Sequence, residues 1–207
     1  MKRYPAIALI EFSDVASGIR AGDAMIKRAP ITMLRTGTIS QGKYLVLIGG
    51  EVAPVEEAFA EGVSNGGETV VDCVILSQVH DQVHDAVLGM RMVCKESAVG
   101  IVDTKTVSAI IRCSDAAVKG AAIDIVEMRL GDQLGGKAFA IYNGLLEDVE
   151  AAVAIAKDRD EGLGSIIRTT IIPKLDGEMV KQIDTTTQFG RAVTQILSDG
   201  EREDAAR

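Results

Sequence analysis

Short apolar runs alternate along this chain with stretches in which apolar residues recur every three to four positions, and the two patterns predict strands and helices. Ala6–Phe12 (AIALIEF) is apolar apart from Glu11 and predicts a strand. Val15, Ile19, Gly22 and Ile26 then recur at helical spacing and predict a helix with these four as its apolar stripe. Asp14, Arg20, Asp23 and Lys27 fall on its other faces, and Pro30 ends it. Ile31–Arg35 predicts a second strand, the GTISQG loop follows, and Lys43–Ile48 predicts a third, stopped by Gly49 and Gly50. Pro54 suits the start of a helix, where its missing N–H costs nothing, and Glu56 and Glu57 suit the positive end of the helix dipole. Val55, Ala58, Phe59 and Val63 form its stripe, and the loop SNGGE leads to a fourth strand, Thr69–Leu76.

The order strand, helix, strand, strand, helix, strand then repeats. Residues 8–34 return 92 positions later, with Val15/Val107, Ile19/Ile111, Arg20/Arg112, Asp23/Asp115, Ala24/Ala116, Lys27/Lys119, Ala29/Ala121 and Ile31/Ile123 identical. The second set of elements is Ala98–Asp103, Val107–Lys119, Ile123–Arg129, Lys137–Tyr142, Glu147–Lys157 and Ile166–Ile172. This is an α+β pattern of two tandem split βαβ, or ferredoxin-like, domains, each a four-stranded antiparallel sheet with two helices on one face. The predicted boundaries are 1–92 and 93–190, with residues from His84 to Glu96 joining the halves. A charged tail over 191–207, poor in apolar residues, is expected to be disordered. The copies differ in length at one place, where the second carries two extra residues before Gly136 and Lys137.

Composition narrows the function class. At 47% hydrophobic residues the chain can bury ordinary cores, no run approaches the ~20 apolar residues of a membrane span, and the start lacks a signal peptide's pattern. A cytoplasmic protein away from membranes is expected. The net charge of −8, 3% aromatics and absence of Trp argue against a nucleic-acid partner. Cys73, Cys94 and Cys113 show no metal-ligand spacing and read as buried thiols.

The candidate chemistry is thin. GDQLGGKA (131–138) falls short of a P-loop, because Ala138 has no hydroxyl for magnesium and Lys137 opens a strand, not a helix. His80 and His84 could share a helix face and hold a metal, but no third ligand accompanies them. They read as polar residues on a short surface helix. The paired acids Glu56/Glu57 and Glu147/Asp148 read as helix N-terminal charge, and no nucleophile has an adjacent histidine base. No catalytic residue, metal or cofactor is expected.

The repeated AGDAMIKRA (21–29) and CSDAAVKGA (113–121), each followed by a loop closing in Gly-Lys and then by GGEVAPVEEA (49–58) or NGLLEDVEAA (143–152), resemble the shell domain of bacterial microcompartments. The resemblance spans nearly all of 6–176 and implies a tandem-domain shell protein, not an enzyme. It implies a homotrimer with the outline of the family's single-domain hexamers, tiling with other shell hexamers and pentamers around encapsulated enzymes in the bacterial cytoplasm. Tile-edge contacts fall on Lys27 and Lys119. The family's edge arginine after the last strand is replaced by Gln78 in one copy and Lys174 in the other. The pore falls on Ser40, Gln41 and Gly42 from the first copy and on Asp132, Gln133, Leu134 and Gly135 from the second. Tandem trimers of propanediol-utilisation compartments hold an iron–sulfur cluster through a pore-loop cysteine. The matching residue here is Ser40, so the resemblance does not carry that redox role over. The alternatives are a small-ligand regulatory protein on a duplicated ferredoxin-like fold and a redox shell protein.

Overall fold

The computed structural model describes residues 3–197. The first half runs β1 (Ala6–Phe12), α1 (Val15–Arg28), β2 (Met33–Thr38), β3 (Tyr44–Gly50), α2 (Val52–Gly66) and β4 (Val70–Leu76). A short helix α3 (Asp81–Val87) follows, and then β5 (Ala98–Thr104), α4 (Val107–Gly120), β6 (Asp124–Leu130), β7 (Ala138–Gly144), α5 (Leu146–Arg159) and β8 (Ile166–Ile172). The sheets have the orders β2-β3-β1-β4 and β6-β7-β5-β8, every pairing antiparallel. These are the two tandem split βαβ domains that the hydrophobic pattern predicts.

Two compact units divide between Lys174 and Leu175. The second contains α6 (Gly177–Thr185), which the sequence reading missed; Asp176 caps it by accepting from the Glu178 N–H at 2.8 Å. Of the tail expected to be disordered, 198–207 lies outside the described residues.

The buried face of α1 differs from the predicted stripe. Gly18, Ala21, Gly22 and Met25 point inward, whereas Ile19 and Ile26 are 55% and 48% exposed. Close approach to the sheet selects the small residues: a Cβ on Gly18 would lie 2.5 Å from the Tyr44 ring. The second domain solves the same volume problem in reverse, with Ile110 in place of Gly18 and Ala138 in place of Tyr44. In α2, Val55 and Ala58 are buried as expected together with Gly62 and Gly66, while Phe59 and Val63 are half-buried against the same core.

The two domains share a core because α4 serves both. Residues Ala6, Ala8, Ile10 and Phe12 alternate along β1 toward α1 and α2. Ile7 and Leu9 face the other way, and with Leu47 and Val74 they join the cluster that contains Ile110, Ile111, Val107 and Tyr142. The back of the first sheet is thus covered by α4 of the second domain. At the edge of this junction Glu11, fully buried, accepts from Lys43 Nζ at 2.7 Å and from the Val107 N–H at 2.9 Å. One carboxylate therefore neutralises a lysine and satisfies the first turn of α4.

The helix α3 pins the junction from the other end. The His80 N–H donates to Asp115 at 2.9 Å, and the Gln82 amide bridges the Ile123 carbonyl at 3.0 Å and the Ile125 N–H at 2.8 Å. Its inner side is buried, and His84 with it at 1% exposure, so the expectation of a polar surface helix holds for His80 but not for His84. Apolar contact of Val83, Ala86 and Val87 with the shared core turns that side inward.

Burial pushes the Glu11 carboxyl above its ordinary pKa, with Lys43 and the Val107 N–H pulling it back. The folded state then holds the proton to higher pH than the unfolded chain, so the contribution of Glu11 to stability is full below the unfolded pKa and is lost as pH rises through the folded one. Urea unfolding of the native protein and Glu11→Gln across that range is expected to show the native advantage shrinking as pH rises; a pH-independent difference would contradict the assignment. Glu11→Leu, which strands Lys43 and the α4 N-terminus together, is expected to cost about 3 kcal/mol or more.

Candidate functional site

The residues that the sequence singles out as a pore come from two equivalent connections. The β2–β3 loop spans 39–43 and the β6–β7 loop spans 131–137, so the two extra residues lie inside the second. The loops touch. The Gln133 N–H donates to Ser40 Oγ at 2.9 Å, tying one domain's loop to the other's.

Each loop turns through a glutamine in the left-handed region, Gln41 at φ 68° and Gln133 at φ 59°. Their equivalence shows that the turn survived duplication, and the insertion follows it. Ile39 is buried and anchors the first loop; a Cβ on Gly131 would come within 2.6 Å of its side chain, which requires glycine there. Asp132, Gln133, Gly135, Gln41 and Gly42 are exposed, and Ser40 and Leu134 are half-buried. Arg129 donates to the Asp132 carbonyl at 3.1 Å, which holds the second loop and sets a positive charge beside the Asp132 carboxylate.

The four expected edge residues are not equivalent. Lys27 pairs with Asp23 at 2.6 Å on an exposed turn of α1. Lys119 pairs with Asp115 and also donates to the Gln78 carbonyl, so the structure brings Lys119 and Gln78 together at the junction of the domains. Lys174 is exposed after β8. None of the three cysteines forms a disulfide; Cys113 is buried, its thiol pushed up to about 12 by desolvation, while Cys73 and Cys94 are half-buried. Among the described residues no three His, Cys, Asp or Glu side chains converge on a common point.

Sequence reasoning missed the contacts that organise these loops. Glu11 is the lone acid in an apolar strand, and that was the available signal. Asp72 accepts from the Thr106 hydroxyl at 2.5 Å and lies 3.6 Å from Arg112, joining β4 to the start of α4. Nothing in the spacing of Asp72 and Thr106 marks them as partners.

Comparison with known proteins settles the family. The BMC domain matches residues 6–79 and again 98–175. The chain belongs to the BMC-domain family. It is 36% identical over 178 residues to the bacterial microcompartment shell protein PduT of Citrobacter freundii, covering 86% of this chain and 97% of that protein. A crystal structure of a microcompartment protein from Desulfitobacterium hafniense superposes with a TM-score of 0.76 at 33% identity, covering 85% of this chain and 98% of that one. The carboxysome shell protein CcmK2 of Thermosynechococcus vestitus matches over 81 residues at 32% identity, which is 37% of this chain and 78% of that protein. The chain is therefore a tandem-domain shell protein of a bacterial microcompartment, with two BMC domains in one polypeptide. At Ser40, the place to which the resemblance assigns a cluster ligand, this BMC protein has a hydroxyl bonded to the neighbouring loop, and a hydroxyl does not fit an iron–sulfur cluster as a thiolate does.

Proposed function

We propose that three copies close into a ring of six BMC domains that acts as a flat tile of the shell, with the paired loops around a central pore. The observation that carries this is the asymmetry of equivalent surfaces. Within one chain α4 covers the back of the first sheet, burying Ile111 to 0% and Val118 to 8% exposure, while the equivalent residues of α1, Ile19 and Ile26, stay about half exposed. A contact that leaves one copy of each of its two surfaces unused in every chain repeats head to tail until a ring closes. Six domains per ring is the number that resemblance to the single-domain hexamers implies. Duplication then lets two kinds of loop alternate about a threefold axis. The role is structural and not enzymatic; the partners are other shell hexamers and pentamers, with enzymes enclosed, in the bacterial cytoplasm.

Light scattering of the purified protein is expected to give three times the chain mass at micromolar concentration; a stable monomer or dimer would sink the ring.

Edge contacts are proposed at Lys27, Lys119, Gln78 and Lys174. Because Lys119 also bridges the two domains, Lys27→Ala is the cleaner variant. An exposed lysine contributes little to its own fold, so this variant is expected to remain trimeric yet co-assemble poorly with shell hexamers, and normal incorporation would refute the edge role.

The pore is proposed to be polar, lined by Ser40, Gln41 and Gly42 alternating with Asp132, Gln133, Leu134 and Gly135. Three Asp132 carboxylates around one axis disfavour anions relative to small neutral metabolites, most strongly at low salt, and Arg129 offsets part of that field. In reconstituted shells Asp132→Asn is expected to raise anion flux relative to neutral solutes at low ionic strength; an unchanged ratio would remove the electrostatic filter.

A further inference from the structure

The junction inside the chain has a counterpart with reversed charge. Aligning the copies pairs Thr106, Val107 and Arg112 on α4 with Asp14, Val15 and Arg20 on α1. It pairs the cross-strand neighbours Glu11 and Asp72 with the cross-strand neighbours Asp103 and Arg168. Inside the chain the helix offers a hydroxyl and the strand an acid, Thr106 on Asp72. On the open surfaces the helix offers an acid and the strand a base. Arg168 is exposed and, among the described residues, makes no ion pair; Asp14 caps α1 by accepting from the Ser17 N–H at 2.8 Å, which holds its carboxyl below the ordinary range and charged at neutral pH.

We propose that α1 of one chain docks on the back of β5 and β8 of a second copy, with the Asp14 carboxylate against Arg168 and the Asp103 carboxylate accepting from the Val15 N–H. The second contact repeats Glu11 on Val107; the first inverts its polarity. Inversion sorts the two kinds of junction. If α1 were laid on a first sheet, Asp14 would meet Asp72, and if α4 were laid on a second sheet, Arg112 would meet Arg168. Arg20 does not recreate that second clash, because it turns to its own domain and donates to the Asn65 carbonyl at 3.0 Å. The inversion thus matches α4 to a first sheet and α1 to a second sheet, which disfavours assemblies in which the two kinds of junction are exchanged.

This inference rests on the ring reading, and a double-mutant cycle on subunit dissociation separates the two. Asp14→Asn keeps the helix cap, since Asn caps as well as Asp, and Arg168→Gln keeps the bulk. Sedimentation at low salt across a dilution series is expected to show each single variant weakening association about fivefold per interface, and the double variant weakening it about fivefold in total relative to the native protein and not ~25-fold. Arg168→Asp, which sets two acids together, is expected to weaken it further. Trimers whose dissociation is unmoved by any of these variants, or moved additively, would overturn the Asp14–Arg168 pair and leave the ring intact. A native protein that never passes beyond monomer would overturn both.

Discussion

The back of the first sheet depends on a helix that its own domain does not supply. A four-stranded sheet with two helices on one face leaves the other face apolar, and Ile7, Leu9, Leu47 and Val74 would be open to water without α4. At roughly 25 cal/mol per Å² of apolar area, leaving several such side chains exposed is a large loss against the 5–15 kcal/mol by which domains are usually stable. Glu11 sets the register of the docking: its carboxylate must reach Lys43 and the Val107 N–H together, which leaves α4 little freedom to slide. The position of the second domain, and so the meeting of the two loops through Ser40 and Gln133, follows from that seat.

Duplication explains why the same residue types carry different burdens in the two halves. Arg20 and Arg112 are identical in sequence, yet Arg112 lies in the covered junction against Asp72 and the Cys73 carbonyl, whereas Arg20 turns to Asn65 on its own domain. The Asp/Lys pairs diverge likewise, one on an exposed turn and the other tying α4 to the end of the first domain. In the proposed ring, a chain made of two copies would meet one junction inside itself and the other with a neighbour, so selection could tune the two separately.

Much of this architecture was legible in the chain because it rests on local pattern. The short apolar runs and helical spacings place every strand and helix of the two domains within a few residues, and the repeat locates both loops and the insertion in the second. What was not legible is non-local. Spacing assigns the stripe on α1 to Val15, Ile19, Gly22 and Ile26, of which only Gly22 is buried, since hydrophobicity alone cannot tell the face that meets its own sheet from another apolar face; the own-sheet face is the one with glycines, where Tyr44 leaves no room for a Cβ. His84 was read as a surface residue for the same reason, its burial being decided by a second domain that local spacing does not reveal. The short helix α6 is amphipathic, but it has only nine residues and buries none of them, and it lies outside the repeat that guides the reading of the two domains.

The paired loops add a constraint of their own. Because the Ser40 hydroxyl accepts from the Gln133 N–H, displacing the longer loop breaks that bond and exposes a backbone donor at the rim. An exposed bond of this kind is worth about 1 kcal/mol net, small enough for thermal opening. The insertion that follows Gln133 adds Leu134 and Gly135, while Gly136 matches Gly42, at φ 73° and 72°; the added residues lie on the far limb of the loop and leave the bonded turn unchanged. The greater freedom of the pair therefore lies on the second domain's side, at the limb that carries Leu134 and leads to Lys137, while Ile39 in the core anchors the first domain's loop.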